Sequence, residues 1–537
     1  MALSPPPGRP KDTAAARGLT VAEASAGFTW ERMWGLFDGD RERLNLAHEC
    51  LDRHAGGGDA VCVQFADGRA ERYGFSELSG WTSRFANWLL GQGIARGERV
   101  AIMADPSLGF YVGMFGAMKA GAVAVPLFTL FGPDGLALRI NDCRPELLLT
   151  QSDAPALQAM FPAVRVVALD DAFWQELARE SDRFTPCTAA SDLALFQYTS
   201  GTTRELPEAV KHTHRAIVTL MPAALYGVGV EAGDRYFCAS SPAWGHGLAH
   251  GTLAPLALGV RTGSYSGKFD AQRLFEALEA FEIDNFAAAP TVFRMLRASG
   301  LRDRFDLRLK KISYSGEPMD PATWEWVEQS FGVRPASMYG STEVGVLIVN
   351  FPGFPDYEIR KDALGQPCPG QAVAILDESG QQVPDRTSGE ISARRKEGWF
   401  RVKDRGWRDA DGYFHIEGRS DDVIISAGWT MSAVEIENTL MKHPGVVEAA
   451  VIGVPDAVRG LVAKAFIVAN GAVGQDEIVS FMKSQLSRHE YPRQLEFVAS
   501  VPKTPAGKVN RKALRDQEKQ RTQATTAATE RPTARNR

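Results

Sequence analysis

Short, β-rich apolar runs alternate with amphipathic stretches along most of the chain, the pattern of layered α/β structure. "RVAIMA" (Arg99 to Ala104) predicts a strand. "GFYVGMFGAMKAGAVAVPLF" predicts a helix closed near Gly121 and then a second strand. The order recurs in "NFAAAP" before "TVFRMLRAS", in "KKISYS" before "GEPMD" and in "ASMY" before "GSTEVG". The apolar run Leu193 to Tyr198 reads as a buried strand. Polar, glycine-containing segments thus follow strand ends, the place where α/β sheets bind ligands.

The pattern changes at "DADGYFHIEGRSDDVIISAGW", where Asp-Gly punctuation of hairpin type precedes Gly418. Beyond it follow a helical segment "SAVEIENTLMKH", strands "VVEAAVIGV" and "AKAFIVA", and a helix "DEIVSFMKSQLS". A domain boundary is expected near Gly418. The expected organisation is a disordered leader over 1–27, a large α/β domain over 28–418, a small α+β domain over 419–515 and a disordered tail over 516–537.

Composition narrows the function. At 537 residues the chain is too long for one ordinary core. Its 60 basic and 65 acidic residues leave a formal charge of −5, which argues against nucleic-acid or anionic-membrane partners. The cysteines at 50, 62, 143, 187, 238 and 368 show neither CxxC spacing nor Cys/His clustering, and read as reduced thiols of a cytoplasmic protein. No apolar stretch approaches a membrane span of ~20 residues, and the prolines of "MALSPPPGRPKDTAAARG" suit a plain leader.

The stretch "FQYTSGTTRELPEAVKHTH" (Phe196 to His214) carries the first chemical signal. Thr199, Ser200, Gly201, Thr202 and Thr203 follow the apolar run at once, a composition that aims backbone N–H groups and hydroxyls at phosphate oxygens. Arg204 and Glu208 stand where a phosphate loop usually carries another glycine and a lysine. Alone, "TSGTT" is more often an ordinary strand-end turn, Glu343 a solvated carboxylate, Lys508 a surface lysine, and Asp421 with Asp422 the start of a turn or helix. His246 and His250 in "WGHGLAHG" suit a metal pair or general base less well than polar pocket lining or satisfied core histidines.

Taken together, "TSGTT", "SGEP", "YGSTE", "GRSDD" and "PKTPAGKVNRKAL", in this order and spacing, resemble the acyl-adenylate-forming superfamily, especially acyl-CoA synthetases of the medium-chain and aryl-acid kind. The resemblance runs from about Asn45 to Leu514. It implies a large domain of layered α/β subdomains joined by a hinge to a small mobile α+β domain. It also implies a two-step reaction: a carboxylate attacks the α-phosphate of ATP to give acyl-adenylate and pyrophosphate, and the CoA thiolate then displaces AMP.

Residue by residue, the resemblance assigns Thr199 to Thr203 to the β- and γ-phosphates. Within Tyr339, Gly340, Ser341, Thr342 and Glu343 it assigns Thr342 to phosphate and Glu343 to Mg²⁺. Gly316, Glu317 and Pro318 flank the adenine. Asp404 and Arg419 meet the ribose, a sound role for a carboxylate acceptor. Lys508 reaches the α-phosphate and acyl carboxylate during adenylation and neutralises charge there. Asp421 is the expected hinge and Gly428 lies by the CoA tunnel. The displaced loop lysine leaves Arg204 and Lys211 as the cations of the phosphate loop, and Thr430 departs from the arginine or asparagine often found there.

Amine-activating relatives keep an acid early in the acyl segment, whereas this chain reads "SSPAWGHGLAHG". Acetate-specific relatives place an indole just before the metal motif, where Gly340 stands here. Trp244, Gly245 and Gly340 therefore favour a medium-chain, alicyclic or aryl acid as acyl-pocket occupant. The co-substrates expected are ATP with Mg²⁺ and CoA, a lysine acetyltransferase is an expected partner at Lys508, and the chain is expected as monomer or homodimer. Two other classes stay open: an adenylating enzyme that loads a separate carrier protein, and a weakly catalytic nucleotide-binding protein.

Overall fold

Ser107 and Gly121 show how the pattern becomes structure. The Ser107 side chain accepts from Phe110 N and opens the helix Leu108–Ala120; Gly121, at φ +84°, closes it. The helix is buried nearly all round, so its sequence is apolar without a polar face. The strands that flank it, Arg99–Met103 and Val123–Leu127, pair in parallel.

The structure, a computed structural model, describes residues 17–131, 133–198, 209–341, 344–419, 423–426, 429–456, 460–471, 473–485, 491–504 and 509–529. The chain divides into two compact units: Met1–Pro318 with Trp326–Arg360 and Leu364–Ala372, and Met319–Glu325 with Lys361–Ala363 and Val373–Arg537.

The first unit holds two sheets. The six-stranded sheet runs Arg165–Ala168, Leu147–Thr150, Arg99–Met103, Val123–Leu127, Leu193–Gln197 and Val210–Thr213, parallel except for its last pair. The nine-stranded sheet runs Gln366–Pro367, Gly345–Val349, Ala336–Ser341, Lys311–Ser315, Asn285–Ala288, Tyr236–Cys238, Thr262–Ser266, Asp59–Phe65 and Ala70–Gly74. Its strands from Ala336–Ser341 through Asp59–Phe65 are parallel neighbours. Buried on both faces by helices, such strands read as continuous apolar runs.

The second unit holds an antiparallel sheet of Val373–Leu376, Gly389–Arg395, Gly398–Arg408 and Phe414–Arg419. A further sheet of Trp429–Ser432, Val423–Ser426, Gly460–Ala469 and Val446–Asp456, with Gln494–Phe497 beside Gly460–Ala469, packs on the helices Ala433–Leu440 and Gln475–Gln485 through Ile424, Ile436, Leu440, Val451, Ile467, Ile478 and Met482. No described helix is long and apolar enough to cross a membrane. All six cysteines are free thiols and only Cys187 is exposed.

The chain expectations shift at three places. The second unit takes in the strands from Val373 onward, so the expected boundary at Gly418 falls inside the strand Phe414–Arg419; the four strands of that sheet pair with one another and stay together. The helix Val21–Gly27 lies within the expected leader, capped by Thr20 and Glu23. Upstream of it, Arg17 is buried over the Phe354 ring, pairs with Glu231 and donates to Leu225 O and Pro352 O. In the expected tail, the helix Arg511–Thr529 is held where Glu518 meets Lys464 at 2.7 Å and Arg521 meets Glu496 at 2.8 Å.

His214 locks the strand end after the hydroxyl stretch. It is fully buried, and its Nδ1 accepts from Leu46 N at 3.0 Å. Burial lowers its pKa from 6.5 to about 4. The unfolded chain therefore binds this proton more readily. The His214 contribution is complete above pH 6.5 and is lost as pH falls toward 4, by roughly 3 kcal/mol over that window. Urea titrations across pH 4 to 7 are expected to show a shallower acid loss in His214→Gln than in the wild type; equal slopes would contradict this reading.

Candidate active site

The strands Tyr236–Cys238, Asn285–Ala288, Lys311–Ser315 and Ala336–Ser341 are parallel neighbours, so the segments that follow them leave the same sheet edge. Those segments are Ala239–His246, Ala289–Thr291 and Gly316–Pro318. In the six-stranded sheet, Phe128–Phe131 follows Val123–Leu127 in the same way. The two carboxyl edges meet at Trp244, whose ring lies 5.5 Å from Phe128 and 6.3 Å from Phe131. Next to it Gly245 approaches Gln197, at the end of its strand, so closely that a Cβ would lie 2.5 Å from Gln197 Nε2.

Gly316 has φ +103°, a conformation that turns the chain sharply at the strand end and suits glycine alone. The Glu317 carboxylate turns away toward Thr291 and Arg294. Tyr339 and Ser341 sit half-buried at the end of their strand. Gly340 is different from expectation. A Cβ there would lie 2.0 Å from Gly345 O and 2.8 Å from Val346 Cα, across the irregular hairpin with Gly345–Val349. The glycine is therefore demanded by two backbones in contact.

The hydroxyl stretch is bracketed by two described strands. Leu193–Gln197 and Val210–Thr213 are antiparallel, with Phe196 opposite Lys211 and Gln197 opposite Val210. Lys211 is exposed on the second strand, its Nζ 5.4 Å from the Phe196 ring centroid.

In the second unit, Asp404 and Arg419 are cross-strand partners. The register places the two expected ribose ligands opposite each other. A bulge lies beside them: Glu390 pairs with Arg405 and Ser392 with Arg401, leaving Val402, Lys403 and Asp404 to one partner residue. Lys403 takes φ +64°, a strained value for a side chain of that size. Glu390 holds the bulge, accepting from Lys403 N at 3.0 Å and from Arg401 at 2.8 Å.

His246 and His250 share the wide-turned helix His246–Leu253, with rings 6.2 Å apart. His246 Nδ1 hydrogen-bonds Ser240 Oγ at 3.0 Å. Burial, and then the neighbouring His246, bring His250 down to about 3, which keeps it neutral.

Residues 51–400 match the AMP-binding enzyme family and residues 435–508 the AMP-binding enzyme C-terminal domain. The chain belongs to the AMP-binding enzyme family. It is similar to the acetyl-coenzyme A synthetase of Bacillus subtilis (strain 168), 30% identical over 88% of this chain and 90% of that one. The Brucella canis acyl-CoA synthetase structure matches with TM-score 0.73 and 30% identity, over 94% of this chain and 99% of that one. The anthranilate CoA ligase AuaEII, in complex with anthranoyl-AMP, matches with TM-score 0.81 and 26% identity, over 89% and 98%. Within the AMP-binding family this chain falls in the acyl-CoA synthetase branch as an AMP-forming acid–CoA ligase, a class that uses ATP, Mg²⁺ and CoA.

Thr199, Ser200, Gly201, Thr202, Thr203, Arg204, Glu208, Thr342, Glu343, Asp421, Gly428 and Lys508 lie outside the described residues, and so does the Arg419 side chain. Mg²⁺ ordinarily takes one or two carboxylates plus substrate phosphates, and Glu343 is the carboxylate assigned to it. Sequence reading missed Glu390, Thr291 and Arg294. Their signal is a register slip and a distant helix start, neither of which a local motif contains.

If Asp404 accepts from the ribose hydroxyls, Glu390 acts through it. Glu390→Ala is expected to weaken AMP binding by about fivefold to tenfold and to narrow the affinity ratio of AMP to 2′-deoxy-AMP, both measured by calorimetry. An unchanged ratio in a folded variant contradicts that role.

Proposed function

We propose that the chain joins a carboxylic acid larger than acetate, of medium-chain, alicyclic or aryl class, to CoA through an acyl-adenylate. The observation that carries the reading is the aromatic wall of Trp244, Phe128 and Phe131 where the two sheet edges meet. The stretch Ser240–Gly251 adds no acidic side chain that could pair a substrate ammonium. A wall of this kind stabilises an apolar acyl group by ~0.8 kcal/mol per buried methylene, about fourfold in affinity. The anthranoyl-AMP held by AuaEII is an acyl group of the aryl class. Gly340 carries no part of this reading, since the adjoining hairpin already requires it.

In this scheme Thr199 to Thr203 and Thr342 hold phosphate, Glu343 the metal, and Lys508 neutralises the charge that builds between carboxylate and α-phosphate. Asp421 is the hinge that withdraws Lys508 and brings Gly428 to the thiol. Acetylation of Lys508 would remove its charge and with it the first half-reaction.

The acetate specificity named for the Bacillus subtilis relative is the competing outcome. A panel from acetate to decanoate plus benzoate, scored for pyrophosphate release with and without CoA, separates the two. kcat/KM is expected to rise from acetate toward hexanoate or benzoate, and Trp244→Ala to lower the benzoate value by about tenfold while acetate changes little. Highest kcat/KM for acetate would overturn the size assignment.

A further inference from the structure

The helix Pro290–Ser299 begins without a cap of its own. Its N-cap residue, Ala289, offers no side-chain acceptor and Pro290 has no N–H, so the first amide in need of a partner is that of Thr291. Glu317 meets this need from the neighbouring strand end. A single carboxylate oxygen, Oε1, accepts from Thr291 N at 2.9 Å, Thr291 Oγ1 at 2.5 Å and Arg294 NH2 at 2.8 Å. The same guanidinium nitrogen donates to Thr291 Oγ1 at 2.9 Å. The Arg294 and Glu317 side chains are only 19% and 14% exposed, so the charged bonds are weakly screened. A carboxylate at the start of a helix gains further from the helix dipole.

This bonding fixes which groups of the strand-end segment remain for a ligand. Gly316 turns the chain at φ +103°, and the Glu317 side chain runs back to the helix. The backbone groups of Gly316, Glu317 and Pro318 are what the segment presents. We propose that Glu317, Thr291 and Arg294 are positioning residues that clamp this backbone in the geometry that reads the adenine ring. The proposal rests on the assignment of Gly316–Pro318 to the adenine, and it gives the Glu317 carboxylate a role away from the nucleotide.

Photolabelling of the wild type with 8-azido-AMP tests the assignment, and calorimetry with AMP, IMP and pyrophosphate on Glu317→Ala, Glu317→Gln and Arg294→Lys tests the clamp. The label is expected within residues 311–320. Glu317→Ala is expected to weaken AMP binding by about tenfold and to shrink the AMP-to-IMP affinity ratio, with pyrophosphate affinity unchanged. Arg294→Lys keeps a donor and is expected to restore most of the ratio. If Glu317→Ala does not fold, Glu317→Gln decides, since it keeps an acceptor for Thr291 but loses the charge facing Arg294; a reduced ratio is again expected. A label within 311–320 with unchanged AMP affinity and ratio in the folded variants overturns the clamp alone. A label elsewhere overturns the adenine assignment, and the clamp with it.

Discussion

Everything in the first unit depends on parallel strand pairing carried through two sheets. Parallel neighbours cannot be joined by tight turns, so they are linked by crossovers that start at the same edge, while Asp59–Phe65, Leu193–Gln197 and Ala336–Ser341 turn into antiparallel partners. That geometry puts Ala239–His246, Ala289–Thr291 and Gly316–Pro318 side by side, and puts Phe128–Phe131 opposite them on the second sheet. Trp244 packs against both Phe128 and Phe131, and Gly245 leaves the room that Gln197 occupies.

Carboxylates within each unit divide by task. Glu317 and Glu390 spend their oxygens on backbone amides and arginines of the protein itself, the first capping a helix and the second holding a bulge. Both solve the problem that a bent or newly started backbone leaves N–H groups unmatched. Asp404, set on the bulge and opposite Arg419, is the carboxylate assigned to the ligand.

Much of this was legible in the sequence. The strands Arg99–Met103, Leu193–Gln197, Asn285–Ala288 and Lys311–Ser315 lie on the apolar runs that predict them, Ala336–Ser341 runs two residues past its expected end at Tyr339, and Gly121 closes its helix as its position implies. The resemblance in five ordered motifs led to the same family that residues 51–400 match. Other features were not legible because they depend on partners far along the chain. Arg17 reaches Glu231 and Pro352, which gives structure to a stretch whose composition alone suggests a loose leader. Glu518 and Arg521 hold a polar helix that reads as a tail. Gly340 looked like removed bulk, yet its reason is a contact with Gly345 that only strand register reveals.

The carboxyl edge of the nine-stranded sheet, meeting that of the six-stranded sheet at Trp244, is the proposed binding place of adenylate and acyl group. Hydrogen–deuterium exchange with a non-hydrolysable benzoyl-adenylate analogue tests it directly. Amide exchange is predicted to slow in the segments 239–247, 289–292 and 316–319 together, with little change at the opposite ends of the same strands. Protection confined to other surfaces, with these segments exchanging as in the free protein, would contradict the account.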